Sequence, residues 1–167
     1  MSFLIKLETL DEGGAILSEE RFKQAEEKWG LIADLYEELA KEIGEKRALD
    51  IASRALLANL KRNISSYLEG LEGKARFEAW IRRAQENAKN NPYHEVVKVT
   101  PSMVCTKVTR CGAEESIRGR GLLELCRRYC DSDFEAAKTI HPNVKLVRDK
   151  TLAQGDPYCN HCWVWQE

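Results

Sequence analysis

The side chains of this sequence with the greatest chemical potential are six cysteines, all in the C-terminal half of the chain. They are Cys105, Cys111, Cys126, Cys130, Cys159 and Cys162. Thiolates bind soft metal ions, attack electrophilic carbon atoms and form disulfides. These positions could therefore serve a metal site, a covalent catalyst or a redox pair.

The spacing of four of these cysteines allows a structural zinc site. Cys126 and Cys130 share one face of a predicted helix. Cys159 and Cys162 have the spacing of a two-cysteine metal knuckle, with His161 as a spare ligand. However, Cys159 and Cys162 fall in a predicted strand, where residues at this spacing point to opposite faces unless a bulge intervenes. The spacing therefore permits a metal site without requiring one.

The segment YCDSDF suggests catalysis instead. Cys130 precedes Asp131 and Asp133, and His161 could supply a base from the last strand. A thiol with acid–base partners is the usual arrangement of a cysteine nucleophile. This hypothesis remains open beside the metal site.

Two other cysteines are interpreted as packing residues. Cys126 is expected in the core, because neutral buried cysteine is common. Cys162 is also assigned to packing. A redox dithiol at Cys159 and Cys162 is disfavoured, because too few residues follow to form the helix that lowers a thiol pKa in thioredoxin-like pairs.

Arg148 is the most informative charged residue, because it lies in the predicted strand Asn143–Ala153. An arginine in a half-buried strand needs a partner, and its planar fork suits a carboxylate. Two alternatives remain open at this point. One is a salt bridge to Asp131, Asp133 or Asp156, and the other is binding of an anionic ligand.

The elements that must position these residues begin with helices. Ser18 is the predicted N-cap of a first helix, whose apolar residues recur at steps of three and four from Phe22 to Ile43, with Gly44 as its stop. Further helices are predicted over about Glu45–Glu69 and Lys74–Lys89. Their apolar stripes predict helix–helix packing, and the first stripe could also form the seam of a homo-oligomer.

After residue 92 the sequence becomes rich in β-branched residues. The predicted elements are a hairpin over His94–Cys111, a helix over Leu122–Tyr129 that continues or restarts through Phe134–Thr139, strands over Asn143–Ala153 and Tyr158–Trp165, and an edge strand near Ser2–Leu7. Short connections favour an antiparallel sheet. We expect an α+β fold in which a helical N-terminal half packs against a small antiparallel sheet with one or two further helices. Residues 1–167 are expected to form a single domain, helical over about 17–91 and cysteine-rich α+β over about 92–167.

Composition excludes several classes of partner. The formal net charge is −1, so we expect no binding to nucleic acid or to an anionic membrane surface. No apolar run approaches the ~20 residues that span a bilayer. The opening segment lacks the basic start of a signal peptide, so we expect a cytoplasmic protein with reduced thiols.

The C-terminal segment carries a series of motifs in a fixed order. They are Cys111 after a strand, Cys130 with Asp131 and Asp133, Pro142, Arg148 with Thr151 and Leu152, and Gly155, Asp156 and Cys159 before an aromatic ending. In this order they resemble the L-2-amino-thiazoline-4-carboxylic acid hydrolase family. The resemblance covers roughly the last 60 residues.

The resemblance implies hydrolysis of a small-molecule substrate, the cyclic amidine L-2-amino-thiazoline-4-carboxylate, to N-carbamoyl-L-cysteine. Cys130 would be the nucleophile, or Asp131 or Asp133 would activate water, with His161 transferring protons. Arg148 would pair with the substrate carboxylate, and Thr151 belongs to the same substrate-binding motif.

A metal-assisted version is also implied. Zinc or iron held by Cys111, Cys130 and Cys159 would polarise the ring or take the leaving sulfur, since three protein ligands and an open position are typical of catalytic metals. The alternative from a different class is a non-catalytic sensor module, in which the cysteine cluster binds a metal or a small ligand.

Overall fold

Helices make up most of the chain, and a four-stranded sheet lies in its C-terminal half. The computed structural model describes the backbone of residues 5–167, and side chains from residue 19 onward except residue 21. The helices are α1 (Ile5–Ile43), α2 (Glu45–Tyr67), α3 (Gly73–Lys89), α4 (Gly112–Arg118) and α5 (Leu123–Ile140). The strands are β1 (His94–Thr100), β2 (Met103–Val108), β3 (Val144–Val147) and β4 (Cys159–Trp165), and Leu152–Gln154 forms a 3-10 turn. The α+β prediction is confirmed.

All strand pairs of the sheet are antiparallel, in the order β1-β2-β4-β3. The pairing of β2 with β4 runs without a bulge, so that Thr106 lies opposite His161 and Cys105 lies opposite Cys162. α3 packs on β1 and β2, and α5 packs on β3. One face of the sheet is therefore packed against two helices, and Val104, Leu146 and Trp163 are buried on that face.

Helix α5 connects the sheet to the helical half of the molecule. Its C-terminal residues Ala136, Ala137 and Ile140 join a core with α3 and the sheet. Its N-terminal residues Leu125 and Cys126 join a second core with α1, α2 and α4. Because α5 contributes to both cores, its C-terminal part is fixed against α3 and the sheet and its N-terminal part against α1, α2 and α4. Among the described residues, none of the helices has both the length and the apolar character needed to cross a bilayer.

Several predicted boundaries were wrong for local reasons. Ser18 lies inside α1, which already begins at Ile5. The edge strand predicted near Ser2–Leu7 lies partly outside the described residues, and residues 5–7 belong to α1. The predicted strand at Asn143 ends at Val147, which places Arg148 in the connection after β3. The hairpin and the helices α2 and α3 agree with prediction.

The contact between α1 and α4 requires a glycine at position 112. A Cβ atom added to Gly112 would lie 2.7 Å from the Cβ of Ala25 and 3.5 Å from the ring of Phe22. We therefore expect Gly112→Ala to lower the free energy of unfolding by about 1–3 kcal/mol, because such overpacking must push two helices apart. Chemical denaturation measures this difference.

The matched control is Gly30→Ala on α1. Nothing lies within 4 Å of a Cβ at Gly30, and the residue is inside α1. Alanine there should raise the stability by about 0.5–1 kcal/mol, through helix propensity alone. Equal effects of the two substitutions would contradict the packing described for α1 and α4.

Candidate functional site

A cavity of about 170 Å³ lies between α3, α5 and the sheet. Its polar and aromatic lining comprises Trp80, Arg83 and Asn87 from α3, His94, Thr106, His161 and Trp163 from the sheet, and Asp133 from α5. Its volume corresponds to about five or six water molecules of liquid. A cavity of this size suits a small ring with one or two substituents.

Asp133 connects this cavity to a buried arginine. One carboxylate oxygen, Oδ2, lies 3.6 Å from Nε2 of His161 and 3.4 Å from Nη1 of Arg148. The side chain of Asp133 is 23% exposed and that of His161 is 17% exposed. A carboxylate beside an imidazole orients the ring and stabilises its protonated form, as in many acid–base catalysts.

Arg148 makes protein contacts with both terminal nitrogens of its guanidinium group. Nη1 donates to the carbonyl of Cys130 at 2.7 Å, and Nη2 donates to Oδ1 of Asp131 at 2.8 Å. The group also lies over the ring of Phe134, and only 3% of the side chain is exposed. Of the two alternatives for Arg148, the structure therefore contains the salt bridge, with Asp131 and Asp133. The substrate-binding role of Arg148 stays a prediction.

The local geometry of two elements brings the predicted catalytic residues together. Cys130 and Asp133 are three residues apart on α5 and so share one helix face. Cys159 and His161 are two apart on β4 and share one sheet face. Because α5 packs on the sheet, the thiols of Cys130 and Cys159 lie close enough to Asp133 for its charge to raise the pKa values of both.

The thiols of Cys111 and Cys130 are protonated at neutral pH. A hydrogen bond to Cys126, together with burial, raises the pKa of Cys130 well above its usual range. Burial raises the pKa of Cys111 to about 11, although the backbone N–H groups of Glu114 and Ala113 oppose the shift. Cys130 is therefore poorly prepared to act as a nucleophile, since the reactive species is the thiolate.

Cys159 lies in the same surroundings. Burial raises the pKa of its thiol, and its sulfur accepts a hydrogen bond of 3.2 Å from the backbone N–H of Leu152. Charge on Cys130 would raise the pKa values of both Cys111 and Cys159, so the three predicted metal ligands are neighbours. Within the described residues, no group of three or more His, Cys, Asp or Glu side chains is arranged to hold a metal ion. Zinc or iron binding stays a prediction, which metal analysis of purified protein would test.

Cys162 does not act as a packing residue, contrary to prediction. It forms a disulfide with Cys105, directly across the β2–β4 pair and on the sheet face opposite to His161. The sulfur of Cys162 is thus unavailable to Cys159, which excludes the four-cysteine zinc scheme. The expectation that all thiols are reduced was wrong for this pair, and the cytoplasmic location stays a prediction.

Thr151 supports the connection between β3 and β4. The side chain of Asp156 accepts a hydrogen bond of 2.8 Å from the backbone N–H of Thr151, and Thr151 itself is buried. Asp156 therefore stabilises this turn. The salt bridges of Arg148 are made by Asp131 and Asp133 instead. The substrate-binding role of Thr151 is a prediction without a test.

Sequence reasoning missed His94, Trp80 and Arg83. Burial and the nearby charge of His161 lower the pKa of His94, so its imidazole is neutral at pH 7. His94 pairs with Val108, which in turn pairs with Cys159. The register of β1, β2 and β4 therefore places His94 at the site. The only signal in the sequence was its place at the start of a predicted hairpin.

The family model described as L-2-amino-thiazoline-4-carboxylic acid hydrolase matches residues 24–163. The chain belongs to this family. The matched span includes every residue of the cavity lining, from Trp80 on α3 to Trp163 on β4. No curated protein sequence matches this member of the L-2-amino-thiazoline-4-carboxylic acid hydrolase family.

Proposed function

We propose that the protein hydrolyses L-2-amino-thiazoline-4-carboxylate to N-carbamoyl-L-cysteine, or opens a closely related cyclic amidine. The observation that carries the proposal is the Asp133–His161 pair in the wall of a small cavity. The family match supports a hydrolase, and the cavity size supports a small heterocyclic substrate.

The first chemical step is the addition of water to the ring carbon between nitrogen and sulfur. The amidine enters as its protonated amidinium, which makes this carbon electrophilic. His161 takes one proton from the attacking water as the carbon–oxygen bond forms, and Asp133 stabilises the resulting imidazolium. The electron pair of the carbon–nitrogen double bond moves to the ring nitrogen, which gives a neutral tetrahedral intermediate.

Collapse of this intermediate opens the ring. The carbon–oxygen double bond forms, the carbon–sulfur bond breaks, and His161 returns its proton to the leaving sulfur. The remaining hydroxyl proton goes to solvent, so the single positive charge of the amidinium leaves as a proton. One water is consumed, and the single product carries a urea group and a free thiol.

Cys130 is not the nucleophile in this mechanism. Its thiol is protonated by the effects described above, and the cavity lining on α5 is supplied by Asp133. We expect Cys130→Ser to keep kcat/KM well within the ~10²-fold that the loss of a catalytic group costs. Steady-state kinetics measures this ratio. Complete loss of activity in a folded Cys130→Ser variant would instead support Cys130 as the nucleophile or as a metal ligand.

The experiment that tests the function is detection of N-carbamoyl-L-cysteine by mass spectrometry. Purified protein is incubated with L-2-amino-thiazoline-4-carboxylate, and Asp133→Asn protein serves as the matched inactive control. Product above that control supports the hydrolase. Binding of the compound without product would instead support the sensor alternative.

A further inference from the structure

The α3 wall of the cavity contains a cation, Arg83. Arg83 lines the cavity, and in the described part of the chain it makes no ion pair. Its guanidinium carbon lies 4.6 Å from the ring centre of Tyr67 and 5.4 Å from that of Trp80. Stacking on two rings holds a guanidinium in place without neutralising its charge.

Trp80 adds a second unused donor beside Arg83. Its indole nitrogen Nε1 is buried and has no hydrogen-bond partner among the described residues. A buried donor without an acceptor is costly, and buried tryptophan N–H groups usually find a partner. The ring also packs edge-to-face on Trp163 at 5.1 Å, so its position is set by the core. An acceptor supplied by a ligand would relieve this cost.

The other arginine of the site is unsuited to this role. Arg148 is 3% exposed, and both of its terminal nitrogens already donate to Asp131, Asp133 and the Cys130 carbonyl. A ligand carboxylate at Arg148 would have to displace two protein carboxylates. At Arg83 it would displace only solvent, so the electrostatic gain is larger there.

We propose that Arg83, assisted by the indole N–H of Trp80, binds the carboxylate of the substrate and sets the specificity of the cavity for anionic ligands. This inference rests on the proposed function, since it names the carboxylate subsite of the same cavity. Arg83 and Trp80 then hold the carboxylate on the α3 wall, and the Asp133–His161 pair faces the amidine.

The test compares Arg83→Gln with wild type on two ligands, L-2-amino-thiazoline-4-carboxylate and its neutral carboxamide. We expect Arg83→Gln to lower kcat/KM for the carboxylate by about 10- to 100-fold, mainly through KM, because a charge-assisted contact made in both ground and transition states is lost. Activity on the carboxamide should not change, and Arg83→Lys should recover part of the loss. Arg82→Gln is the matched control, since Arg82 is its exposed neighbour on α3.

A binding measurement separates this inference from the proposed function. Calorimetric titration of the carboxylate into the wild-type, Asp133→Asn and Arg83→Gln proteins requires no turnover. Binding that persists in Asp133→Asn and weakens in Arg83→Gln supports the carboxylate subsite even where no product forms. Three outcomes overturn it: equal affinity of Arg83→Gln and wild type, equal losses on the carboxylate and the carboxamide, or no binding to the wild-type protein.

Discussion

Replacing Asp133 with asparagine is expected to lower kcat/KM for ring opening by ~10²–10⁴-fold while the protein stays folded. The amide keeps the shape of the side chain but removes the negative charge that, in the proposed mechanism, faces the His161 imidazolium from 3.6 Å away. Arg148 keeps its bonds to Asp131 and to the Cys130 carbonyl, so the fold tolerates the change. Steady-state kinetics with a parallel thermal melt measures both effects.

The matched control for this variant is Asp131→Asn. Asp131 carries the same functional group on the same helix and also binds Arg148, but its side chain is 59% exposed and does not line the cavity. Because solvent screens an ion pair whose carboxylate is exposed, loss of the Asp131 charge should change kcat/KM by no more than about fivefold. If the two variants lose activity equally, Asp133 acts only through Arg148, and the acid–base role assigned to it is wrong.

Replacing Arg148 with methionine is expected to lower the free energy of unfolding by about 2–4 kcal/mol. Methionine keeps much of the buried stem but removes the guanidinium that the Asp133 carboxylate and the Cys130 carbonyl share. Part of the cost of losing a buried ion pair is avoided because Asp131 can turn to solvent. Activity should fall as well, since Arg148 helps to hold Asp133 toward His161. Denaturant titration and kinetics on the same preparation measure the two effects.

Arg128→Met provides the control on the neighbouring helix surface. Arg128 pairs with Glu124 at 3.4 Å, and both side chains are about half exposed, so its replacement should cost less than ~0.5 kcal/mol. A double-mutant cycle between Arg148→Met and Asp133→Asn should show a coupling of about 0.5–3 kcal/mol, because the two side chains are in contact. Additive effects in that cycle would mean that the ion pair does not stabilise the fold.

Local patterns were sufficient to predict most of the elements. The apolar stripes of α2 and α3 and the β-branched hairpin around residue 101 depend on neighbours in sequence, which the pattern of residue types records directly. The start of α1 was misplaced because Ser18 has the chemistry of a cap, yet the helix continues through it. A capping residue permits a helix to begin and does not force it to.

Local spacing also predicted part of the site. Cys130, Asp131, Asp133 and His161 were named for their residue types, a thiol with possible acid–base partners. Residues three apart share a helix face, and a strand alternates its faces. These rules place Cys130 with Asp133, and they correctly separate Cys159 from Cys162. They do not say which face of which element meets which other face.

Packing between segments distant in sequence determines the rest of the site. The register of β1, β2 and β4 brings His94 beside His161 and joins Cys105 to Cys162, and the packing of α3 on that sheet adds Arg83. Three carboxylates were equal candidates as partners of Arg148 by residue type, and the position of α5 selected Asp131 and Asp133. Contacts of this kind join residues tens of positions apart, so they follow from how whole faces bury one another, which no short stretch of sequence encodes.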